Sequence, residues 1–252
     1  MAKPISVQLY SVREAAKADF PGTLKKISDM GYVGVEIAGL HGMKATEVAT
    51  ILRDLGLKAS SAHAGIPTPE TINQIAEDAA ALGYKQIIGG FGPDNMKTRE
   101  TVAACVEKLK VGAELARAKG LKVGFHNHEW EFMHQVDGKA VYELYLEGAP
   151  NVFSQLDVYW CAVGGADVPA VIRKWAKRLP TLHIKDGDIG AKRVHKAVGK
   201  GRLAMKPIID AADPSVLEWL VVELDACDTD MVQAVADSYR YLVDSGLARG
   251  RK

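Results

Sequence analysis

The sequence predicts a (β/α)8 barrel, in which eight parallel strands are each followed by a helix. Three observations predict this fold: short β-branched or apolar runs alternate with segments of helical period, eight such units follow one another, and the chain has 252 residues. A barrel of this kind typically needs about 250 residues, and alternating strands and helices give parallel strands with right-handed crossovers. We expect a single domain over residues 1–252.

The predicted elements follow from hydrophobic period. The strands are the apolar runs at 4–10, 32–38, 57–63, 84–90, 121–127, 152–157, 179–185 and 218–224. The helices place apolar residues three and four positions apart, at 23–30, 45–56, 71–83, 101–120, 141–148, 168–179, 205–213 and 231–246. Glycines at 31, 56, 83 and 120 are placed to end four of these helices. An open doubly wound sheet is the alternative, but no G-x-G-x-x-G motif follows the first strand.

The composition narrows the class of partner. Lys and Arg (32) almost balance Asp and Glu (31), so no basic face is indicated for nucleic acid or for an anionic membrane. No signal peptide or membrane span is visible in the sequence. Cys105, Cys161 and Cys227 are too few and too scattered for a disulfide framework. We expect a soluble cytoplasmic protein, and the composition allows a homo-oligomer.

Polar residues collect where the predicted strands end. In a (β/α)8 barrel the functional groups lie at the C-terminal ends of the strands, and polar residues inside apolar strands are costly unless they are paired or ligated. The pattern therefore predicts a functional site at one end of the barrel. The strand-end residues are Gln8, Tyr10, Glu36, His63, His126, His128, Asp157, His183, Lys185, Asp186 and Glu223, with Arg13 one turn after the first strand.

Three of these residues predict a metal centre. Asp157, His183 and Glu223 come from strands 6, 7 and 8, and the strand period of two lets them point inward at one height. Carboxylate and imidazole together suit Mn²⁺, Zn²⁺, Co²⁺ or Fe²⁺ and suit Ca²⁺ poorly. The structural alternative is that Asp157 caps a turn, His183 is a satisfied core histidine and Glu223 pairs with a basic side chain.

The segment GFHNHEWEF (124–132) adds two histidines from strand 5. His126 is favoured as a fourth ligand, which would leave positions for substrate, and His128 would then contact substrate from the loop above. The alternative is that both histidines bond to loop carbonyls. Glu131 is a weaker candidate for acid/base work.

Other polar residues are candidates for contact with a substrate. Lys185 could hold a substrate oxygen or donate a proton, the alternative being an ion pair with Asp186. His195 lies in the basic segment 190–204, which is either a lid over a polyhydroxylated or anionic substrate or a solvated loop. The remaining candidates are Tyr10, Glu36 and His63 for binding polar groups and Trp160 for stacking on a sugar face, although Trp160 could equally be a packing residue.

Six motifs in chain order resemble the sugar phosphate isomerase/epimerase family. They are VQLYSVRE, GFHNHEWEF, LDVYWCAVGGADV, LPTLHIKDGD, VGKGRLAMKPII and WLVVELDA. This family belongs to the xylose isomerase-like TIM barrels, which also include inosose dehydratases, hydroxypyruvate isomerases, ketose 3-epimerases and endonuclease IV.

The resemblance implies a sugar substrate and a divalent metal at the barrel mouth. The metal is expected to be Mn²⁺ first, with Zn²⁺, Co²⁺ or Mg²⁺ as alternatives, and the family's ligand positions fall on His126, Asp157, His183 and Glu223. The ketose epimerases have a glutamate at the strand 5 position, where this chain has His126. Their pair of proton-carrying glutamates is therefore reduced here to Glu223.

The resulting expectation is a metal-dependent sugar isomerase or epimerase that removes a proton next to a carbonyl and passes through an enediolate. Glu223, His126 or His128 would take the proton, and Lys185 or His63 would return it. The alternatives are a lyase similar to inosose dehydratase and a sugar-binding barrel without catalysis. An endonuclease is disfavoured, because Trp160 stands where that family has a second histidine.

Overall fold

The computed structural model describes residues 2–190 and 193–251, and it confirms the predicted barrel. Within these residues eight parallel strands pair in chain order, and β1 closes the barrel by pairing with β8, with Ile5 opposite Leu220. The barrel strands are β1 (Lys3–Gln8), β2 (Gly34–Ile37), β3 (Lys58–His63), β4 (Gln86–Gly89), β5 (Lys122–His126), β6 (Phe153–Asp157), β7 (Thr181–Ile184) and β8 (Trp219–Val222).

Helices cover the outside of the barrel. Two predicted glycine stops are confirmed by their backbone: Gly31 (φ 105°) ends α2 and Gly83 (φ 83°) ends α4, both in the left-handed region that favours glycine. The described helices are α1 (Arg13–Ala18), α2 (Phe20–Met30), α3 (Ala45–Asp54), α4 (Ile72–Leu82), α5 (Arg99–Ala118), α6 (Trp130–Met133), α7 (Val141–Gly148), α8 (Val158–Val163), α9 (Val168–Trp175), α10 (Met205–Asp210) and α11 (Met231–Asp244). None of them is both long enough and apolar enough to cross a membrane.

Three of these helices were not predicted, because one or two turns are too short for a hydrophobic period to show. They are α1, α6 and α8, which follow β1, β5 and β6. Short strand pairs also join Gln135–Val136 to Lys139–Ala140 and Asp186–Gly187 to His195–Lys196. Helices α6 and α8 and the strand pair after β7 follow the C-terminal ends of their barrel strands. Together they build the wall of the barrel mouth.

The barrel strands are apolar on the outer face, which the helices cover, and polar on the inner face, which lines the lumen. Side chains such as Val7, Val35 and Leu182 are fully buried between the strands and the helices. The residues alternating with them point into the lumen, where Gln8, Glu36, Ser61, Gln155 and His183 are at most 1% exposed. A polar lumen is stable only if its groups are paired, and hydrogen bonds between strands supply the partners.

We predict that Gly124→Ala destabilises the barrel. A Cβ at this β5 position would lie 2.2 Å from the ring of Phe153, and overpacking of this kind typically costs about 1–3 kcal/mol. Urea unfolding should show a lower midpoint with an unchanged slope. Gly92→Ala is the control, since its Cβ would meet only the Asn95 side chain, at 4.0 Å. Equal stability of the two variants would contradict the packing at Gly124.

Candidate metal centre and barrel mouth

Four buried side chains converge at the C-terminal end of the barrel. His126, Asp157, His183 and Glu223 each offer one ligand atom, and these four atoms lie within 4.8 Å of one another. The strand register places them, because Asp157 pairs with His183 and Glu223 follows β8, whose Val221 also pairs with His183. The register places Asp157, His183 and Glu223 at one height, as the sequence predicts, and His126 lies beside them. The role of all four residues as ligands remains a prediction.

Protein hydrogen bonds already occupy part of this cluster. This agrees with the alternative in which Asp157 caps a turn and His183 is a core histidine with satisfied hydrogen bonds. Asp157 Oδ1 accepts the Trp160 N–H at 2.8 Å and so caps α8. His183 bonds at both nitrogens, from Nδ1 to Glu223 Oε2 (2.9 Å) and from Nε2 to Glu36 Oε1 (2.6 Å). A metal at His183 would therefore replace one of these two hydrogen bonds.

Two observations nevertheless fit a cation. First, His126 Nδ1 is buried without a hydrogen-bond partner among the described residues, which is unusual for a buried polar atom. Second, the charges do not balance. The carboxylates of Glu36, Asp157, Glu223 and Asp225 face two cations, Lys185 and His183, around the cluster.

The protonation of the site sets the size of this imbalance. Burial opposes the charge on His183, but Glu36 and Glu223 outweigh it and raise its pKa to about 10. Burial and the charge of His183 lower the pKa of His126 well below its usual value. Burial raises the pKa of Asp157 to about 6, so Asp157 is mostly ionised at pH 7. Four negative charges against two positive ones then leave a formal charge of about minus two. Imidazole and carboxylate donors are also the ligands that divalent transition metals use, so the residues fit such an ion.

Glu36 is the hub of the lumen beneath this cluster. Its Oε1 accepts hydrogen bonds from Gln8 Nε2 and His183 Nε2, both at 2.6 Å, and its Oε2 accepts from Ser61 Oγ and Gln155 Nε2, both at 2.5 Å. Burial would raise its pKa, but the charges of His183 and His63 and these hydrogen bonds lower it to about 2. With its lone pairs filled, Glu36 anchors the lumen, which differs from the predicted contact with substrate.

Lys185 is an internal cation. Its Nζ forms ion pairs with Asp157 Oδ2 at 3.1 Å and with Glu223 Oε2 and Asp225 Oδ2 at 2.9 Å each. Burial opposes its charge, but these three carboxylates raise its pKa above the ordinary value. The side chain is fully buried, so the structure places Lys185 below the mouth rather than on its lining, and its predicted part in proton transfer remains untested.

The alternative ion pair between Lys185 and Asp186 is wrong. The Asp186 carboxylate instead accepts four backbone N–H groups, from Gly187, Gly199, Gly201 and Leu203, at 2.8–3.1 Å. Asp186 therefore fixes the loop that follows the strand pair after β7.

A cavity of about 480 Å³ opens above the cluster. Its imidazoles are held in place: the His128 ring stacks on Trp130 at 4.1 Å, and His63 Nε2 donates to Gln155 Oε1 at 2.7 Å. Burial and the charge of Lys185 lower the pKa of His128 to about 4, so His128 is neutral at pH 7. The described lining consists of Tyr10, Ala38, His63, His126, His128, Glu223 and Asp225.

Glu131 supports the His128 loop from behind. Its Oε2 accepts the His128 backbone N–H at 2.8 Å, and its side chain is fully buried with Oε1 unpartnered among the described residues. Burial raises its pKa well above the usual value. Because Glu131 is absent from the cavity lining, its predicted acid/base role has no direct route to a substrate.

Trp160 and His195 lie behind the lining. The His195 ring packs at 4.8 Å from that of Tyr159 and 5.2 Å from that of Trp160, and its Nδ1 accepts the Asp225 N–H at 3.3 Å. Trp160 lies 5.4 Å from Lys185 Nζ. These contacts make both residues supports of the site, and their roles in substrate binding stay predictions. Residues 191 and 192 of the predicted lid segment lie outside the described residues.

Two site residues were missed from the sequence. Asp225 lines the cavity two residues after Glu223, so the period-two argument that linked His126 to His128 would have found it. Asn127 joins β5 to β6, since its Oδ1 accepts the Asp157 N–H (3.0 Å) and its Nδ2 donates to the Asp157 carbonyl (3.4 Å). No sequence signal identifies that contact, because its partner is 30 residues away.

Comparison with known proteins finds matches to one family of TIM barrels. The profile of the xylose isomerase-like TIM barrel family matches residues 24–243. A sugar phosphate isomerase/epimerase from Parabacteroides distasonis ATCC 8503 is 24% identical with a TM-score of 0.82, over 98% of this chain and 100% of that one. An L-ribulose 3-epimerase is 21% identical (TM-score 0.73, 98% and 95% covered).

A third solved structure, the IOLI protein with a bound zinc atom, is 14% identical (TM-score 0.71, 97% of both chains covered). At these identities the likeness shows the fold alone. None of the curated proteins matches this chain.

We predict that Glu36→Gln strongly destabilises the protein. An amide cannot accept all four donors that surround Glu36, and His183 would lose a charge partner, so the loss should be about 3 kcal/mol or more. Chemical denaturation at pH 7 measures it. Glu107→Gln is the control, because Glu107 is 65% exposed and forms a surface ion pair with Lys110 at 3.3 Å, so its substitution should change stability by less than about 0.5 kcal/mol. If the two variants were equally stable, Glu36 would not be the anchor of the lumen.

Proposed function

The chain belongs to the xylose isomerase-like TIM barrel family, and on that premise we propose that it is a metal-dependent isomerase or epimerase of a sugar or related polyol. One observation carries the proposal: a buried cluster of two imidazoles and two carboxylates with excess negative charge opens into a cavity lined by further imidazoles. The cavity of about 480 Å³ falls within the range of small-molecule sites.

The ligands in this proposal are His126, Asp157, His183 and Glu223, with Mn²⁺ as the first candidate ion and Zn²⁺, Co²⁺ or Mg²⁺ as alternatives. Such an ion, when bound, supplies a Lewis acid that polarises a substrate carbonyl. The unpartnered His126 Nδ1 supports this ligand set, and the zinc in the IOLI protein shows that a barrel of the same fold binds a metal.

The chain's own residues would move the proton. His128 and Glu223 both line the cavity. Burial and Lys185 lower the pKa of His128 to about 4, and Lys185 and His183 overcome burial to keep the pKa of Glu223 well below its usual value. Both are therefore unprotonated at pH 7, so either can accept a proton from the carbon next to the carbonyl.

A second residue must return a proton, to the neighbouring carbon in an isomerase or to the opposite face of the same carbon in an epimerase. We assign this step to His63, which lines the cavity and whose Nε2 proton would leave its hydrogen bond to Gln155 Oε1 (2.7 Å) to reach the carbon. Lys185 is enclosed by three carboxylates, so its role in this mechanism is to hold Glu223 ionised and oriented. In each turnover His128 or Glu223 gains one proton and His63 loses one, so proton exchange with solvent restores both residues, and no redox partner is needed.

We predict about one tightly bound divalent ion per chain. Elemental analysis after equilibration with Mn²⁺ and desalting should find it, and His183→Ala and Asp157→Asn should each lose it, because each removes a donor from the cluster. His134→Ala is the matched control, since the ring of His134 bonds to the Trp130 carbonyl (3.0 Å), outside the cluster. Metal-free wild-type protein, or equal loss in the control, would count against the site.

We predict turnover of a ketose or cyclitol that depends on Glu223. A screen of these compounds by NMR in D₂O should show deuterium entering the carbon next to the carbonyl. Glu223→Gln should slow this exchange by about 10²-fold or more, because it removes both a base and a ligand. Glu129→Gln, at an acid that is absent from the cavity lining, is the control.

The product distinguishes the rival functions. An isomer or epimer supports the proposal, whereas loss of water assigns the chain to the dehydratase-like lyases. Saturable binding of sugars without any exchange, in protein that holds its metal, would indicate a non-catalytic sugar-binding barrel.

A further inference from the structure

The cavity at the barrel mouth offers a ligand hydrogen-bond acceptors rather than cations. Its described lining includes two carboxylates, Glu223 and Asp225, and contains no Lys or Arg. A carboxylate can only accept hydrogen bonds, and a phosphate group at neutral pH is likewise an acceptor with negative charge. Sugar hydroxyls, in contrast, can donate to a carboxylate. The lining therefore suits hydroxyl groups and opposes a phosphate.

Asp225 is held in place with one carboxylate oxygen open to a ligand. Its N–H donates to His195 Nδ1 at 3.3 Å, and its carbonyl accepts from Arg13 Nη2 at 3.0 Å. Its Oδ2 accepts from Lys185 Nζ at 2.9 Å. Its Oδ1 accepts no hydrogen bond from a described residue and is accessible to solvent, since it is absent from the buried unpartnered atoms. Asp225 thus gives the cavity a fixed and reachable acceptor.

The cations beside the lining are engaged by the protein. Arg13 does not line the mouth; its guanidinium lies over the Tyr10 ring at 4.2 Å and donates to the Tyr10 and Asp225 carbonyls, at 3.0 Å each. Lys185 is fully buried within three carboxylates. Around the cluster four carboxylates face two cations, so a divalent ion would bring the site to about zero net charge without an excess of positive charge.

Backbone N–H groups that could replace a cation are occupied as well. Barrels of this fold frequently bind phosphate through the loops after strands 7 and 8, where converging N–H groups hold an anion. The loop after β7 brings four N–H groups together here, but they donate to the fully buried carboxylate of Asp186. Lys200 of the same loop is exposed and absent from the lining. The loop therefore holds the chain's own anion where a phosphate would bind.

We infer that the mouth binds an uncharged polyhydroxylated substrate, a free ketose or cyclitol, and discriminates against its phosphate esters. Asp225 is the residue that sets this preference, because its Oδ1 accepts a substrate hydroxyl and its negative charge repels a phosphate. The inference rests on the proposed function for the identity of the site, and it narrows the class of substrate.

Calorimetry with matched pairs of ligands tests this preference, on protein equilibrated with Mn²⁺ and then desalted. The pairs are D-fructose with D-fructose 6-phosphate, D-ribulose with D-ribulose 5-phosphate, and myo-inositol with myo-inositol 1-phosphate. We expect at least one free compound to bind and its ester to bind about tenfold more weakly or not at all. An ester that binds as tightly as its parent compound, or a panel in which no member binds, would overturn the inference.

Asp225→Asn tests the residue. Loss of the charge should narrow the affinity gap between the free compound and its ester by about threefold or more, because a like charge beside the phosphate is removed. Asp228→Asn is the matched control, since Asp228 is exposed and does not line the cavity. A merely structural role would weaken both ligands together, so an unchanged gap in Asp225→Asn, or equal narrowing in the control, would remove Asp225 from this role.

The failure of this inference is distinguishable from the failure of the proposed function. Preferential binding of a free compound without deuterium exchange would contradict the proposed enzyme and leave the inference standing. Deuterium exchange into a phosphate ester, with none into its parent compound, would support the enzyme and overturn the inference.

Discussion

The upper half of the barrel depends on one buried carboxylate. Glu36 is fully buried, and a carboxylate in such a place is stable only when hydrogen bonds replace its lost hydration. Its donors come from β1, β3, β6 and β7, which meet only because the sheet is closed. Barrel closure and the Glu36 network are therefore interdependent: closure supplies the donors, and the network ties distant strands together across the lumen.

A buried group of charged side chains lies above Glu36 in the barrel. His183 and Lys185 lie within the carboxylates of Glu36, Asp157, Glu223 and Asp225, and they hold charges that burial would otherwise remove. The mouth above them is lined by imidazoles, of which His126 and His128 have lowered pKa values. The charged groups lie below the cavity, and the neutral imidazoles line it. This arrangement suits proton transfer next to a carbonyl, because the imidazoles can accept a proton while the buried charged groups keep their protonation states.

The polar lumen also connects the two ends of the barrel. Ser60 lies near the start of β3, and its hydroxyl is 3.3 Å from that of Ser61, which donates to Glu36 at 2.5 Å. Glu36 in turn accepts from His183 at 2.6 Å. Two hydroxyls and one carboxylate thus join the start of β3 to the buried cluster at the barrel mouth.

The sequence by itself determined the alternation of eight strands and helices, the glycine stops, and the strand-end origin of the site, because each rests on local period or on backbone preference. It also identified the residues of the buried cluster, since strands that end at one face bring their last polar residues together. Only the tertiary structure decided which side chains pair with one another in hydrogen bonds and ion pairs. Glu36 and His183 are 147 residues apart, and Lys185 bonds to Asp225 rather than to its neighbour Asp186. Side-chain pairing in a closed barrel follows from which strands face one another across the lumen, and a local pattern carries no information about that geometry.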